Sequence, residues 1–336
     1  MRAVIWTRYG PPEGLRPQDI PKPTPKDNEV LIRIHTATAT AGDCELRGLK
    51  LPLLLSLPMR LYAGFRRPKR IRILGQEFAG TIEAVGKSVG QWKADDEVFG
   101  IAGLGSGAYA EYMCRPESPG EMDGVMTSKP PGISFQEAAA IPLGGLESVH
   151  YLRKADIRAG QKVLIIGAGG SIGTIGVQLA KHFGAHVAAV DSTQKLDMLR
   201  AIGADQVIDY TREDFTRTGE RYDAILDVVG KTPIAHGMKC LTQDGIYLMA
   251  NPRISKVLLG RLLTLATKKR LLSGSVVHTV EQLEYLKKLI DEGELQIVID
   301  RCYPLEQTAD AHRYVETGNK AGNVIINVHA DSQSGE

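Results

Sequence analysis

The sequence predicts an α/β chain of two domains, a β-rich one and a doubly wound parallel sheet of six strands, and three observations predict it. The 336 residues are about twice the usual single-domain length, and at 43% hydrophobic they supply enough apolar material for real cores. Early in the chain, short strand-like runs are separated by Gly, Pro and Asp. From Ser134, which with Glu137 makes a capping-box helix start, strand-like and helix-like segments alternate, as a parallel sheet requires.

The β-rich part is read from the runs 29–39, 79–85, 96–101 and 108–114, a pattern that fits a compact barrel or sandwich. The alternating part offers strands at 162–166, 186–190, 206–209, 223–228, 246–250 and 271–276. Helices are expected at 172–183, 194–202, 233–241 and 280–292. Six strands is the count of a full dinucleotide-binding sheet. After residue 299 come a short helix, 308–317, and an apolar strand, 323–328. Spacing alone leaves open whether these extend the second sheet or cross back to complete the first domain. Residues 331–336 are polar and expected to fray.

Lys+Arg 41 against Asp+Glu 39 leaves +2, so no overall field would gather nucleic acid. Cys44, Cys114, Cys240 and Cys302 form no CxxC pair, which argues against a disulfide framework and against a Cys-rich structural zinc site. A reducing, cytoplasmic setting is expected. The longest apolar segment, 51–59, contains two prolines, so neither a signal peptide nor a membrane span is expected.

The most informative stretch runs from Lys162 to Gly173, a buried-strand pattern entering the glycine turn Gly-Ala-Gly-Gly-Ser-Ile-Gly and then a helix. Gly170 lets backbone approach a pyrophosphate, and Gly173 lets the helix pack closely on the strand. Together with Ser171 and Ile172 they form the expected phosphate cradle at a helix N-terminus. The next strand ends in Asp191, near where a ribose-binding acid belongs. Asp191 favours NAD, because a carboxylate repels a 2′-phosphate. Ser192, Lys195 and Tyr210 favour NADP, and both signals are present.

Here the chain resembles a known family. The segments Gly75-Gln-Glu-Phe-Ala-Gly80, Ala138-Ala-Ala-Ile-Pro-Leu-Gly-Gly145-Leu, Gly167-Ala-Gly-Gly-Ser-Ile-Gly173 with Val177-Gln-Leu-Ala-Lys181, and Ile202-Gly-Ala-Asp-Gln-Val-Ile-Asp-Tyr210 resemble the medium-chain dehydrogenase/reductase superfamily, in its zinc-free quinone oxidoreductase-like branch. The resemblance implies a GroES-like catalytic domain, 1–130 completed by 296–336, and a Rossmann domain, 131–295. It also implies an active site in a cleft between them, and a homodimer.

By the same resemblance, the positions at which zinc members carry Cys, His and Cys are Thr40, Gln76 and Leu143, which cannot supply that ligand set. No metal is expected, and the relay hydroxyl of those enzymes falls at Gly42. Without a Lewis acid, quinones and conjugated enones are the better hydride acceptors, and Thr40 and Gln76 become substrate-contact candidates. Glu77 and Asp43 are read as structural carboxylates. Glu147 departs from the threonine common in the branch; it must turn away from a pyrophosphate or pair with a cation.

Two segments, 49–72 and 254–272, join a leucine-rich run to a basic one. Either each is a helix packed on the core with a solvated cationic end, or it is a lid that receives an apolar substrate, with peripheral contact to a membrane. In the lid reading, Tyr62 is a donor to the substrate oxygen. The activity expected is NAD(P)(H)-dependent reduction of an apolar quinone, enone or related carbonyl. An enoyl-thioester reductase and a low-turnover cofactor-binding sensor are the alternatives.

Overall fold

The structure is a computed structural model that describes residues 1–50, 53–105, 107–120, 122–251, 253–265, 267–274 and 276–329. In chain order it has β1 (Arg2–Trp6), β2 (Leu15–Asp19), β3 (Glu29–Thr38), α1 (Ala41–Gly48), α2 (Leu53–Ala63), β4 (Glu77–Val85), β5 (Glu97–Ile101), β6 (Tyr112–Pro116), β7 (Val125–Ser128), α3 (Phe135–Ala139) and α4 (Pro142–Ala155). The alternating part is β8 (Lys162–Ile166), α5 (Ser171–His182), β9 (His186–Asp191), α6 (Leu196–Ala201), β10 (Gln206–Asp209), β11 (Tyr222–Asp227), α7 (Ile234–Lys239), β12 (Leu241–Met249), α8 (Ile254–Thr264) and β13 (Arg270–Ser273). The chain closes with α9 (Val280–Asp291), β14 (Ile299–Pro304), α10 (Thr308–Glu316) and β15 (Asn323–Asn327).

Two compact units result: one of Met1–Leu143, Thr279–Lys287 and the chain from Ile299 onward, the other of Gly144–His278 and Lys288–Val298. The first is built on a seven-stranded sheet, ordered β14-β15-β3-β4-β5-β7, with β6 also on β3. In β3, Val30, Ile32 and Ile34 alternate into the core with Trp6, Phe78 and Ile82. The C-terminal return belongs to this unit, because β15 pairs antiparallel with β3, Ile325 opposite Thr38. Val324, Ile325 and Ile326 are fully buried there, so the ladder and the core together hold the chain end.

The second unit is the expected six-stranded sheet, all parallel, in the order β10-β9-β8-β11-β12-β13. β8 and β9 are near-continuous apolar runs because helices cover both faces of a parallel sheet. The strand order reverses between β8 and β11, the switch point at which such sheets place their ligands.

Several boundaries differ from the sequence expectation. The run 108–114 is not one strand: Ala108 and Tyr109 donate to the backbone of Gly75 and Leu74, and only from Tyr112 does the chain join β3. The helix expected at 194–202 starts as a 3₁₀ turn, Thr193–Lys195, before α6. The strand expected at 271–276 ends by Gly274, and Ser275 lies outside the described residues. Helix α4 escaped the reading because Gly144 and Gly145 depress helix propensity; a Cβ at Gly144 would stand 2.6 Å from the Ser171 carbonyl oxygen, so close packing demands the glycine. Leu51 of the apolar run and residues 331–336 lie outside the described residues, as do the side chains of Leu53, Leu54 and Leu55. Among the described residues no helix is long and apolar enough to cross a membrane, and all four cysteines are free.

Candidate active site

In the second unit β8 runs through Gly167 and Ala168 into α5, whose N-cap is Gly170 in an extended conformation. A Cβ at Gly173 would lie 2.5 Å from both the Cα and the carbonyl oxygen of Ala168, so the first turn of α5 can seat against the bend only with glycine there. At Gly170 a Cβ would meet only the Gly167 carbonyl oxygen, at 3.7 Å. The space beside Gly170 is therefore open, and the first-turn N–H groups of α5, which have no acceptor inside their own helix, border it. This is a cradle that suits a diphosphate.

Asp191 ends β9 beside that bend, and both of its oxygens are engaged. Oδ2 accepts from the Gly169 N–H at 2.8 Å; Oδ1 accepts from the Ser192 N–H at 2.8 Å and faces Lys195 Nζ at 3.2 Å. Asp191 and Lys195 are both buried, while the Tyr210 side chain is 60% exposed and its backbone N–H donates to the Asp191 carbonyl oxygen. The residues that sent opposite signals in the sequence are thus joined as one ion pair at the tip of β9.

In the first unit Thr40 caps α1. Its hydroxyl donates to Asp43 Oδ2 at 2.6 Å and accepts from the Asp43 N–H at 3.0 Å, a reciprocal capping box. The side chain of Gln76 comes to the same place: from a Cβ built on Gly42, Thr40 Oγ1 is 3.6 Å and Gln76 Nε2 3.7 Å away. The Gln76 amide makes no hydrogen bond among the described residues. Leu143, the third position of the metal pattern, is apolar; its backbone N–H donates to Glu77 Oε1 at 2.7 Å. Thr40 and Gln76 are one hydroxyl and one amide, and among the described residues no three His, Cys, Asp or Glu side chains gather as metal ligands.

Beneath this pair lie two fully buried carboxyls. Burial raises Asp43 to about 6 and Glu77 to about 7, even though Thr40 and Gly75 hydrogen-bond the first, and Thr38 and Leu143 the second. The sequence reading had them as structural groups, and their partners are all within the fold. It missed the rest of the cluster. Burial pushes His312 down to about 3, so its ring is neutral and carries one proton. Its Nδ1 receives the Arg47 Nε–H and faces the Cys44 thiol, each at 3.3 Å, so the proton sits on Nε2 and is donated to Tyr109 Oη at 3.0 Å. The Tyr109 hydroxyl in turn donates to the Thr38 carbonyl oxygen at 3.1 Å. No local pattern announces this contact between residues 203 positions apart.

Tyr62 is not brought to Thr40 or Gln76 by any hydrogen bond among the described residues. It is half-buried on α2, packed on the core with the Arg70 guanidinium 4.3 Å from its ring centroid. The Glu147 carboxylate faces a histidine, His278 Nε2 lying 3.8 Å from Oε1.

Comparison with known proteins agrees with this architecture. Residues 26–119 match the family described as alcohol dehydrogenase GroES-like domain, and residues 202–326 the one described as zinc-binding dehydrogenase. The chain is 31% identical to a 2-methylene-furan-3-one reductase of Solanum lycopersicum, over 97% of its own length and 79% of that protein's. It is 29% identical to an NADPH-dependent alkenal/one oxidoreductase of Arabidopsis thaliana, chloroplastic, with the same coverages. A solved quinone oxidoreductase of Coxiella burnetii superposes with a TM-score of 0.86 at 29% identity, covering 98% of this chain and 99% of that one. The chain belongs to the medium-chain dehydrogenase/reductase superfamily, in its quinone oxidoreductase-like branch, and is an NAD(P)-dependent oxidoreductase.

Proposed function

We propose that this chain reduces a quinone, an enone or a related conjugated carbonyl, prefers NADPH, and works without zinc. The observation that carries the reading is the convergence of the Gln76 amide and the Thr40 hydroxyl around Gly42, at positions where zinc members of the superfamily keep metal ligands. Neither side chain is a ligand zinc favours, and Leu143 supplies none at all.

NADPH, when bound, supplies the hydride. As the acceptor is reduced, negative charge gathers on its oxygen, and the unengaged Gln76 amide is a donor ready to meet it. Thr40 contributes through Asp43. While Asp43 is ionised it takes the Thr40 hydroxyl proton. Once protonated, which its elevated pKa of about 6 makes accessible near neutrality, it becomes the donor across the same 2.6 Å, and the Thr40 proton is freed for the substrate oxygen. Position and one or two hydrogen bonds do the work that a Lewis acid does elsewhere in the superfamily.

The preference for NADPH draws on the Asp191–Lys195 pair. Asp191 is already occupied by two backbone N–H groups and neutralised by Lys195, so it neither binds a ribose diol freely nor repels a 2′-phosphate at full strength; Ser192 and Tyr210 complete a polar rim. A homodimer is supported by β13, which ends the sheet with β12 as its only neighbour among the described residues. Four free cysteines suit a reducing compartment such as the cytoplasm.

The test is NADPH oxidation with a panel of quinones and enones, using protein treated with a chelator and assayed for zinc. Saturable turnover by zinc-free protein is expected. Turnover that vanishes with chelation and returns with zinc defeats the zinc-free reading, and tight NADPH binding with no turnover on any acceptor points to a sensor.

A further inference from the structure

Between Glu45 and Glu77 the chain carries eight Lys and Arg and no acidic residue, in a molecule whose net charge is only +2. The structure shows how this stretch is displayed. Met59, Tyr62 and Ala63 of α2 pack on the core of the first unit. The opposite face shows Leu57 and Leu61, one turn apart, 53% and 68% exposed, and just past the helix Phe65 is 60% exposed. Arg66, Arg67, Lys69 and Arg72 follow, all exposed, and none of them makes an ion pair among the described residues. Elsewhere in this unit Arg2 pairs with Asp19 and Arg313 with Glu13.

We propose that α2 and the loop after it form a docking surface for an anionic lipid bilayer. Leucines and a phenylalanine on one exposed face, flanked by unneutralised arginines, match the two layers of such a surface: acyl chains take the apolar side chains and phosphate headgroups take the guanidinium groups. A second copy of the chain is a poorer occupant, because a two-fold contact on this patch sets a cationic cluster against itself. A purely acidic partner satisfies the arginines and leaves the leucines in water. The docking surface stands independently of which carbonyl the enzyme reduces.

Co-sedimentation with phosphatidylcholine vesicles carrying one-fifth phosphatidylglycerol tests this, with pure phosphatidylcholine vesicles alongside. The intact chain should partition to the anionic vesicles and release as salt rises. At roughly a fivefold change per basic residue near the surface, R66E with R67E should lower partitioning by about 25-fold or more. L57S with L61S should remove the binding that persists at high salt. These side chains are exposed, so both double variants should keep the unfolding midpoint and the NADPH affinity of the parent. The proposal is overturned if the parent ignores anionic vesicles, if either double variant binds them as the parent does, or if L57S with L61S changes only the oligomeric state.

Discussion

Lys195 Nζ stands 3.2 Å from Asp191 Oδ1, and both side chains are buried at the tip of β9. The acid and the base that argue for different coenzymes in the sequence therefore act as one neutral pair. Removing either partner leaves the other as a buried charge without compensation.

For coenzyme choice, Lys195→Ala should weaken NADPH by roughly 10- to 100-fold, the worth of a charge-assisted hydrogen bond plus an uncompensated Asp191, and change NADH far less. The preference should then invert. Calorimetric titration of both coenzymes checks it, and an unchanged NADPH-to-NADH ratio removes the role assigned to Lys195.

Two glycine substitutions separate binding from folding. Gly170→Ala has room in the free protein, where its Cβ would stand 3.7 Å from the Gly167 carbonyl oxygen, so it should leave the unfolding midpoint in place while lowering coenzyme affinity at least tenfold. Gly173→Ala collides with backbone at 2.5 Å and should cost about 1–3 kcal/mol of stability as well. Thermal unfolding paired with coenzyme titration distinguishes the two outcomes.

On the polar floor, Gln76→Leu deletes a donor that is unengaged within the fold. Stability should hold while kcat on an enone falls by about 10²–10³, the usual effect of losing one oxyanion donor. Thr40→Val should instead cost about 1 kcal/mol of stability, because the hydroxyl caps α1. Equal kcat for Gln76→Leu and the parent would exclude Gln76 from the reaction.

The buried carboxyls predict a stability profile of definite sign. Glu77 rises from 4.5 to about 7 on folding, so between these values the folded chain holds a proton that the unfolded chain has released. Stability therefore falls as pH rises through the window, and Asp43, raised to about 6, adds to the fall. His312, lowered to about 3, contributes in the opposite direction below its ordinary 6.5. Glu77→Gln removes the largest descending contribution, so near pH 7 and above it should be the more stable protein, on the order of a few kcal/mol, and near pH 4.5 the two should converge. Urea titrations at several pH values measure the difference.

How much was legible follows from how local each signal is. The run of Val163, Leu164, Ile165 and Ile166 into a glycine turn is readable because strand, bend and helix are contiguous. Helix α4 was not readable, because its glycines answer to Ser171 rather than to their own neighbours. The contact of Tyr62 with Arg70 was not readable either, because the guanidinium reaches the ring from a loop beyond the end of α2.

The sequence by itself determined the family, the six parallel strands and the glycine bend, since each is carried by short contiguous segments whose periodicity and steric needs are local. Only the tertiary structure decided that Ile325 of β15 stands opposite Thr38 of β3, that Asp191 pairs with Lys195, and that His312 donates to Tyr109. Those outcomes depend on which distant surfaces bury one another. Burial sets both the contacts and the protonation states, and it is a property of the packed chain.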